Sequence, residues 1–179
     1  MKRDPATFTV DEAQAAADAW GFNCGPGALC AILGKRPEEI RPHLIDFERK
    51  GYTNLSLMAA ILRGLGVRFD RVFEHLGARP EPMDVLYPLC GLVRVQWGGP
   101  WTAPGVPVRA RYRHTHWIAI RQGPGDPYPG EVFDINAVCV GGWLDWDEWR
   151  LGLVPWLLEQ CAPRADGTWW PTHCWEVTP

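Results

Sequence analysis

The hydrophobic period changes once along this chain, at Gly66, and that change limits the fold more than any other feature. Before it, apolar residues recur at helical spacing. Thr9-Val10-Asp11-Glu12 has the form of a capping box, which predicts a helix over Val10–Trp20 with Gly21 as its stop. A second helix is predicted from Cys24 or Gly25. Pro26 suits its first turn, Ala28, Leu29, Ile32 and Leu33 form its apolar face, and Gly34 ends it. Arg36–Lys50 reads as helical with a break or kink at Pro42. Thr53 or Asn54 caps a further helix carrying Leu57, Met58, Ile61, Leu62 and Leu65.

After Gly66 the pattern alternates. Strands are predicted at Val67–Val72, Leu92–Trp97, Val108–Tyr112, His116–Arg121 and Val132–Asn136, with a closing strand at Thr168–Val177. Gly98–Pro107 reads as a turn-rich loop and Gly123–Gly130 as a tight connection. Trp143–Gln160 reads as a pair of short helices interrupted near Gly152 and Pro155. Helices followed by antiparallel strands define an α+β fold. The 179 residues, without repeat or linker, fit a single domain over 1–179.

Composition narrows the partners. With 18 Lys+Arg against 21 Asp+Glu, the chain lacks the basic balance that phosphate neutralisation requires, and no nucleic-acid partner is expected. Met1-Lys2-Arg3-Asp4-Pro5 leads into no apolar signal segment, and no run approaches the ~20 apolar residues that cross a bilayer. A cytoplasmic protein of bacterial or phage origin, with no membrane partner, is the expectation. The 11 tryptophans suit a loop-rich core or an interface equally and fix no oligomeric state. The six cysteines form no CxxC pair and read mostly as small buried apolar groups. His114, His116 and the His173-Cys174 pair are ligand types for zinc, but their spacing matches no structural zinc site. No metal and no cofactor is expected.

One cysteine is placed differently. In Asn23-Cys24-Gly25-Pro26-Gly27-Ala28, Cys24 starts a helix, where unpaired N–H groups and the positive dipole end favour the thiolate, the nucleophilic form. By itself the segment would equally suit a buried cysteine after a turn. His114-Thr115-His116-Trp117 then sets a histidine before an apolar strand, and the next strand carries Asp134 and Asn136 on one face. If those strands pair, a carboxylate or amide orients the imidazole, as a catalytic triad requires. His116 is preferred over His114 because it directly precedes the apolar run. His43 and His75 read as surface groups, and His173-Cys174 is a runner-up pair without a helix start beside it.

These segments resemble the papain-like cysteine peptidase superfamily, and most closely the bacteriocin-processing, double-glycine type peptidases. The likeness lies in the cysteine-glycine-proline helix start, the His116-Trp117 strand and the Asp134 strand. It implies N-terminal helices packed on a mainly antiparallel sheet, with Cys24 as nucleophile, His116 as base and Asp134 as orienting acid. The activity implied is hydrolysis of a peptide, amide or isopeptide bond through a thioester, acting on a peptide or protein substrate. An acyltransferase using the same triad is the neighbouring possibility in chemistry. Such peptidases carry a glutamine for the oxyanion at the position that is Asp18 here. That role passes to the Cys24 N–H with Asn23 or Gln96 as candidate donors, with Asn136 as a support candidate; a weak or inactive module that binds a peptide or protein is the alternative. Trp101, His114 and Trp117 are candidate cleft residues. Arg109, Arg111 and Arg113 read as the solvent face of a hairpin, with a carboxylate-binding role as the competing reading.

Overall fold

The computed structural model describes residues 6–75, 79–123, 128–161 and 164–178. The expectations for Met1–Pro5 and for the centre of the Gly123–Gly130 connection lie outside the described residues, as does the side chain of Cys161.

Five helices come first: α1 Val10–Trp20, α2 Cys24–Leu33, α3 Pro37–Ile40, α4 Phe47–Lys50 and α5 Leu55–Gly64. Thr9 and Glu12 form the reciprocal capping box, with Thr9 N–H donating to Glu12 Oε2 at 2.7 Å. A 3-10 turn at Arg41–His43 interrupts the helical region at Pro42. Asn54 rather than Thr53 caps α5, its Oδ1 accepting from Leu57 N–H at 2.8 Å.

The second part contributes β1 Arg68–Glu74, β2 Cys90–Trp97, a short helix α6 Val108–Arg111, β3 Thr115–Arg121, β4 Glu131–Phe133 and β5 Trp143–Asp145. A helical stretch follows, α7 Trp146–Glu148 and α8 Val154–Cys161, and β6 Trp169–Thr178 closes the order. All strands pair antiparallel in one six-stranded sheet of order β1-β6-β2-β3-β4-β5. The fold is α+β.

Alternation along the strands divides the core into two layers. Leu92 of β2 and Trp117 and Ala119 of β3 face the N-terminal helices. Val93, Val95, Ile118 and Ile120 face the opposite side, where Trp146, Trp149 and Leu158 cover them. Burial on both faces explains why β2 and β3 read as near-continuous apolar runs.

Three expectations are corrected. Val108–Tyr112 is helical and 3-10, not a strand, because its arginines have no apolar alternation to bury. The Val132–Asn136 strand ends at Phe133, where Asp134 turns the chain by capping a 3-10 helix over Ile135–Val140. Trp143–Gln160 begins as a strand, and its helix is not broken. A π-segment at Trp149–Leu153 absorbs Gly152 and runs directly into α8, whose second residue is Pro155. The closing strand expected at Thr168–Val177 forms as β6 and inserts between β1 and β2.

Candidate active site

Cys24 opens α2, directly after its N-cap Asn23. The Asn23 Oδ1 accepts from Gly25 N–H at 3.3 Å and its Nδ2 donates to Gly51 O at 3.1 Å, which ties the helix start to the segment after α4. Gly25 permits close approach there: a Cβ at this position would lie 2.6 Å from Thr53 Cβ. Trp117 of β3 fixes the same segment, its indole Nε1 donating to Thr53 O at 2.8 Å. Gly27, one turn into α2, lets the helix rest on Ile135, whose Cδ1 would be 3.1 Å from an added Cβ. The helix start is thus packed against both the β3 strand and the turn that follows Asp134.

Across this junction Cys24 hydrogen-bonds His116, and the Trp117 backbone N–H also reaches its sulfur. His116 Nε2 lies 2.9 Å from Asp134 Oδ2. Asp134 is completely buried. Its Oδ2 also accepts from Trp149 Nε1 at 2.9 Å, and its Oδ1 accepts from Asn136 N–H and Nδ2, each at 2.9 Å. An ionised carboxylate only accepts, so His116 Nε2 carries a proton and Nδ1 remains for Cys24. Trp97 stacks on the imidazole with centroids 5.7 Å apart.

The electrostatics follow from this arrangement. Burial pushes the Cys24 thiol up, but the facing His116 charge and hydrogen bond, with the Trp117 N–H, outweigh it and hold the thiol below its ordinary value. Burial pushes His116 down, yet Asp134 and Cys24 raise it well above the usual imidazole range. Burial pushes Asp134 up, and His116, Trp149 and the Asn136 N–H bring it below the ordinary carboxylate value. Each group favours the charged form of its neighbour. Together these contacts bias the Cys24–His116 pair toward its charged form in front of a buried carboxylate.

The predicted residues Cys24, His116 and Asp134 therefore meet, with Asn136 in support. Of the oxyanion candidates, Gln96 is corrected. Asn23 uses its amide as a helix cap and on Gly51 O. Gln96 is buried, and its Nε2 donates to the carbonyls of Trp97, Arg111 and His114 at 3.0, 3.3 and 3.0 Å. The Gln96 amide is therefore fully engaged, whereas Asn23 lines the Cys24 cavity and keeps its second Nδ2 N–H. Asp18 is exposed on α1 and accepts from Gln14 at 2.8 Å. Among the described residues the Cys24 N–H, at the first position of α2, makes no hydrogen bond.

Cys24 opens onto a cavity of about 600 Å³ walled by Trp117 and by Lys50, Arg94, Arg109 and Arg113. Of the cleft candidates, only Trp117 lies here. Trp101 and His114 stack face to face, 3.5 Å apart, in a neighbouring cavity of about 580 Å³ that shares Arg109 and Arg113 as its wall. His114 belongs to a 3-10 turn rather than to β3, and so does not share a strand face with His116. Arg109 and Arg113 border the cavity instead of facing solvent alone.

The remaining cysteines divide. Cys30 and Cys174 are buried, and burial pushes both thiols strongly up. The runner-up pair fails on this ground, and burial with the Arg94 charge also drives His173 down to about 4. Cys139 is exposed, contrary to the expectation of packing. Among the described residues no group of three metal-ligating side chains occurs, and no helix is long and apolar enough to cross a membrane.

Two site residues escaped the sequence reading. Trp149 looks like any packing tryptophan, and no local signal marks its bond to Asp134. Arg94 did leave a signal, a charge inside the apolar run Leu92-Val93-Arg94-Val95. No family model, curated protein or solved structure matches this chain.

Proposed function

We propose that the protein is a papain-like cysteine hydrolase of an amide, peptide or isopeptide bond, with a peptide or protein substrate. The observation that carries this reading is the buried relay from Asp134 through His116 to a cysteine at a helix start. A buried carboxylate with four donors is costly to build for packing alone and fixes the imidazole in one tautomer and orientation.

The chemistry runs in two halves. The Cys24 thiolate attacks the carbonyl carbon, forming the S–C bond and moving the C=O electron pair onto oxygen, where the Cys24 N–H can receive it. As the intermediate collapses, the C–N bond breaks and His116 gives its Nδ1 proton to the departing amine. A water then attacks the thioester while His116 takes its proton. The C–S bond breaks, the acid leaves and the ion pair is restored. An amine in place of that water would make the same site an acyltransferase.

A second reading has its own support. With Gln96 committed elsewhere and Asp18 at the position of the expected glutamine, the Cys24 N–H and the second Asn23 N–H are the donors left for the oxyanion. Loss of a donor costs such sites ~10²–10³ in rate, which favours a slow enzyme or a module that binds a peptide without turnover.

Dilute iodoacetamide, followed cysteine by cysteine by mass spectrometry, tests the site. Cys24 is expected to be modified first, with a pH midpoint below ~8.5. Labelling no faster than that of exposed Cys139, and unchanged by His116→Ala, overturns the reading. An activated ester separates the two alternatives. A catalyst forms an acyl adduct on Cys24 that is then released, whereas a binding module shows no turnover.

A further inference from the structure

The walls of the Cys24 cavity carry one sign of charge. Lys50, Arg94, Arg109 and Arg113 all line it, and no Asp or Glu does among the described residues. This departs from a chain whose net charge is −3. The four cations come from three separate places, the end of α4, the middle of β2 and the α6 and 3-10 segment that precedes β3, so no single local pattern produces the cluster.

Their environments differ in a useful way. Arg94 is buried, and its Nη2 donates to Thr115 Oγ1 at 3.2 Å, which holds the guanidinium at the cavity floor. Lys50 has a carboxylate nearby, with Asp46 3.6 Å away on the outer side. Arg109 and Arg113 lie at the exposed rim and form no ion pair among the described residues. A low-dielectric pocket walled by one sign of charge concentrates the opposite charge inside it. Guanidinium groups suit a carboxylate because their paired donors match its two oxygens.

From this juxtaposition we infer that the substrate carries a carboxylate beside the bond that Cys24 attacks, held by Arg94 on the floor and Arg109 and Arg113 at the rim. The inference rests on the reading of Cys24 as a nucleophile and adds the class of substrate. An acidic peptide, or one whose terminal carboxylate lies next to the scissile bond, has the required group.

Two alkylating agents of similar size test it on the full chain. Iodoacetate carries a carboxylate and iodoacetamide does not. The iodoacetate-to-iodoacetamide rate ratio at Cys24 is expected to exceed that of glutathione by about tenfold or more at low salt, and to fall as ionic strength rises. Glutarate is expected to protect Cys24 from iodoacetamide. In Arg109→Gln/Arg113→Gln the ratio is expected to drop toward the glutathione value, with circular dichroism reporting the fold. The wild-type salt dependence gives an answer even if that variant does not fold. A wild-type ratio equal to that of glutathione, or one that a folded arginine variant leaves unchanged, overturns the proposal while rapid iodoacetamide labelling still supports the nucleophile. Slow labelling of Cys24 by both reagents overturns the nucleophile and the proposal together.

Discussion

Trp149 donates its indole N–H to Asp134 Oδ2 at 2.9 Å, the same oxygen that lies 2.9 Å from His116 Nε2. The two donors approach a side chain that has no solvent exposure. The tryptophan thus helps decide whether the carboxylate stays ionised behind the imidazole, a role beyond filling the second core layer. The π-segment that begins at Trp149 sets the pitch of the helix at this contact.

Replacing Trp149 by Phe keeps most of the packing and removes that donor. A hydrogen bond to a charged group contributes about 1.5–3 kcal/mol, and a loss of stability in that range is expected from urea denaturation. The acid limb of Cys24 alkylation should also move to higher pH, since Asp134 loses a bond that lowers its pKa. An unchanged limb with lowered stability would leave Trp149 a purely structural role.

Asp134→Ala removes the acceptor of four buried hydrogen bonds. Breaking a buried charged pair costs about 3–5 kcal/mol, and the variant is expected to melt well below the parent. Asp134→Asn preserves shape and keeps more stability, but it permits the wrong imidazole tautomer. A fall in turnover of about 10⁴ is expected for any substrate found.

The pH dependence of stability carries a defined sign. Asp134 is held below its unfolded value, so its contribution is complete above about pH 4 and disappears as pH falls through the folded value. The stability difference between the parent and Asp134→Asn should therefore shrink in acid. His116 is raised, so its contribution is present below about pH 6.5 and fades as pH climbs through its folded value. Chemical denaturation across pH, with His116→Ala as the second comparison, measures both.

Gly25→Ala should destabilise the protein by about 1–3 kcal/mol, because the added methyl meets the buried Thr53 side chain 2.6 Å from its Cβ. The displaced helix start should slow Cys24 alkylation as well. Thr53→Gly combined with Gly25→Ala is expected to recover part of both losses. Additive effects in that double variant would show that the two positions do not meet.

The helical half was largely legible because its signals are local. The Thr9–Glu12 box, Gly21, Asn23 and Pro26 each act within one turn, so α1 and the start of α2 follow from residue order. β2 and β3 were legible for a related reason, since strands buried on both faces read as apolar runs. Val108–Tyr112 misled because β-branched and aromatic ends suggested a strand, while the two arginines between them leave no apolar alternation for a sheet to bury.

Of the site, the sequence by itself determined Cys24 at a helix start and His116 before an apolar strand. Both depend on neighbours along the chain. Only the tertiary structure decided that Asp134 leaves its strand to cap a turn, that Trp149 and Asn136 hold it, and that Gln96 is already engaged. It also gathered Lys50, Arg94, Arg109 and Arg113 around the sulfur. These are long-range contacts, fixed by where β6 inserts and how the helices cover the sheet, and side-chain hydrogen bonds between distant elements leave no period in the sequence.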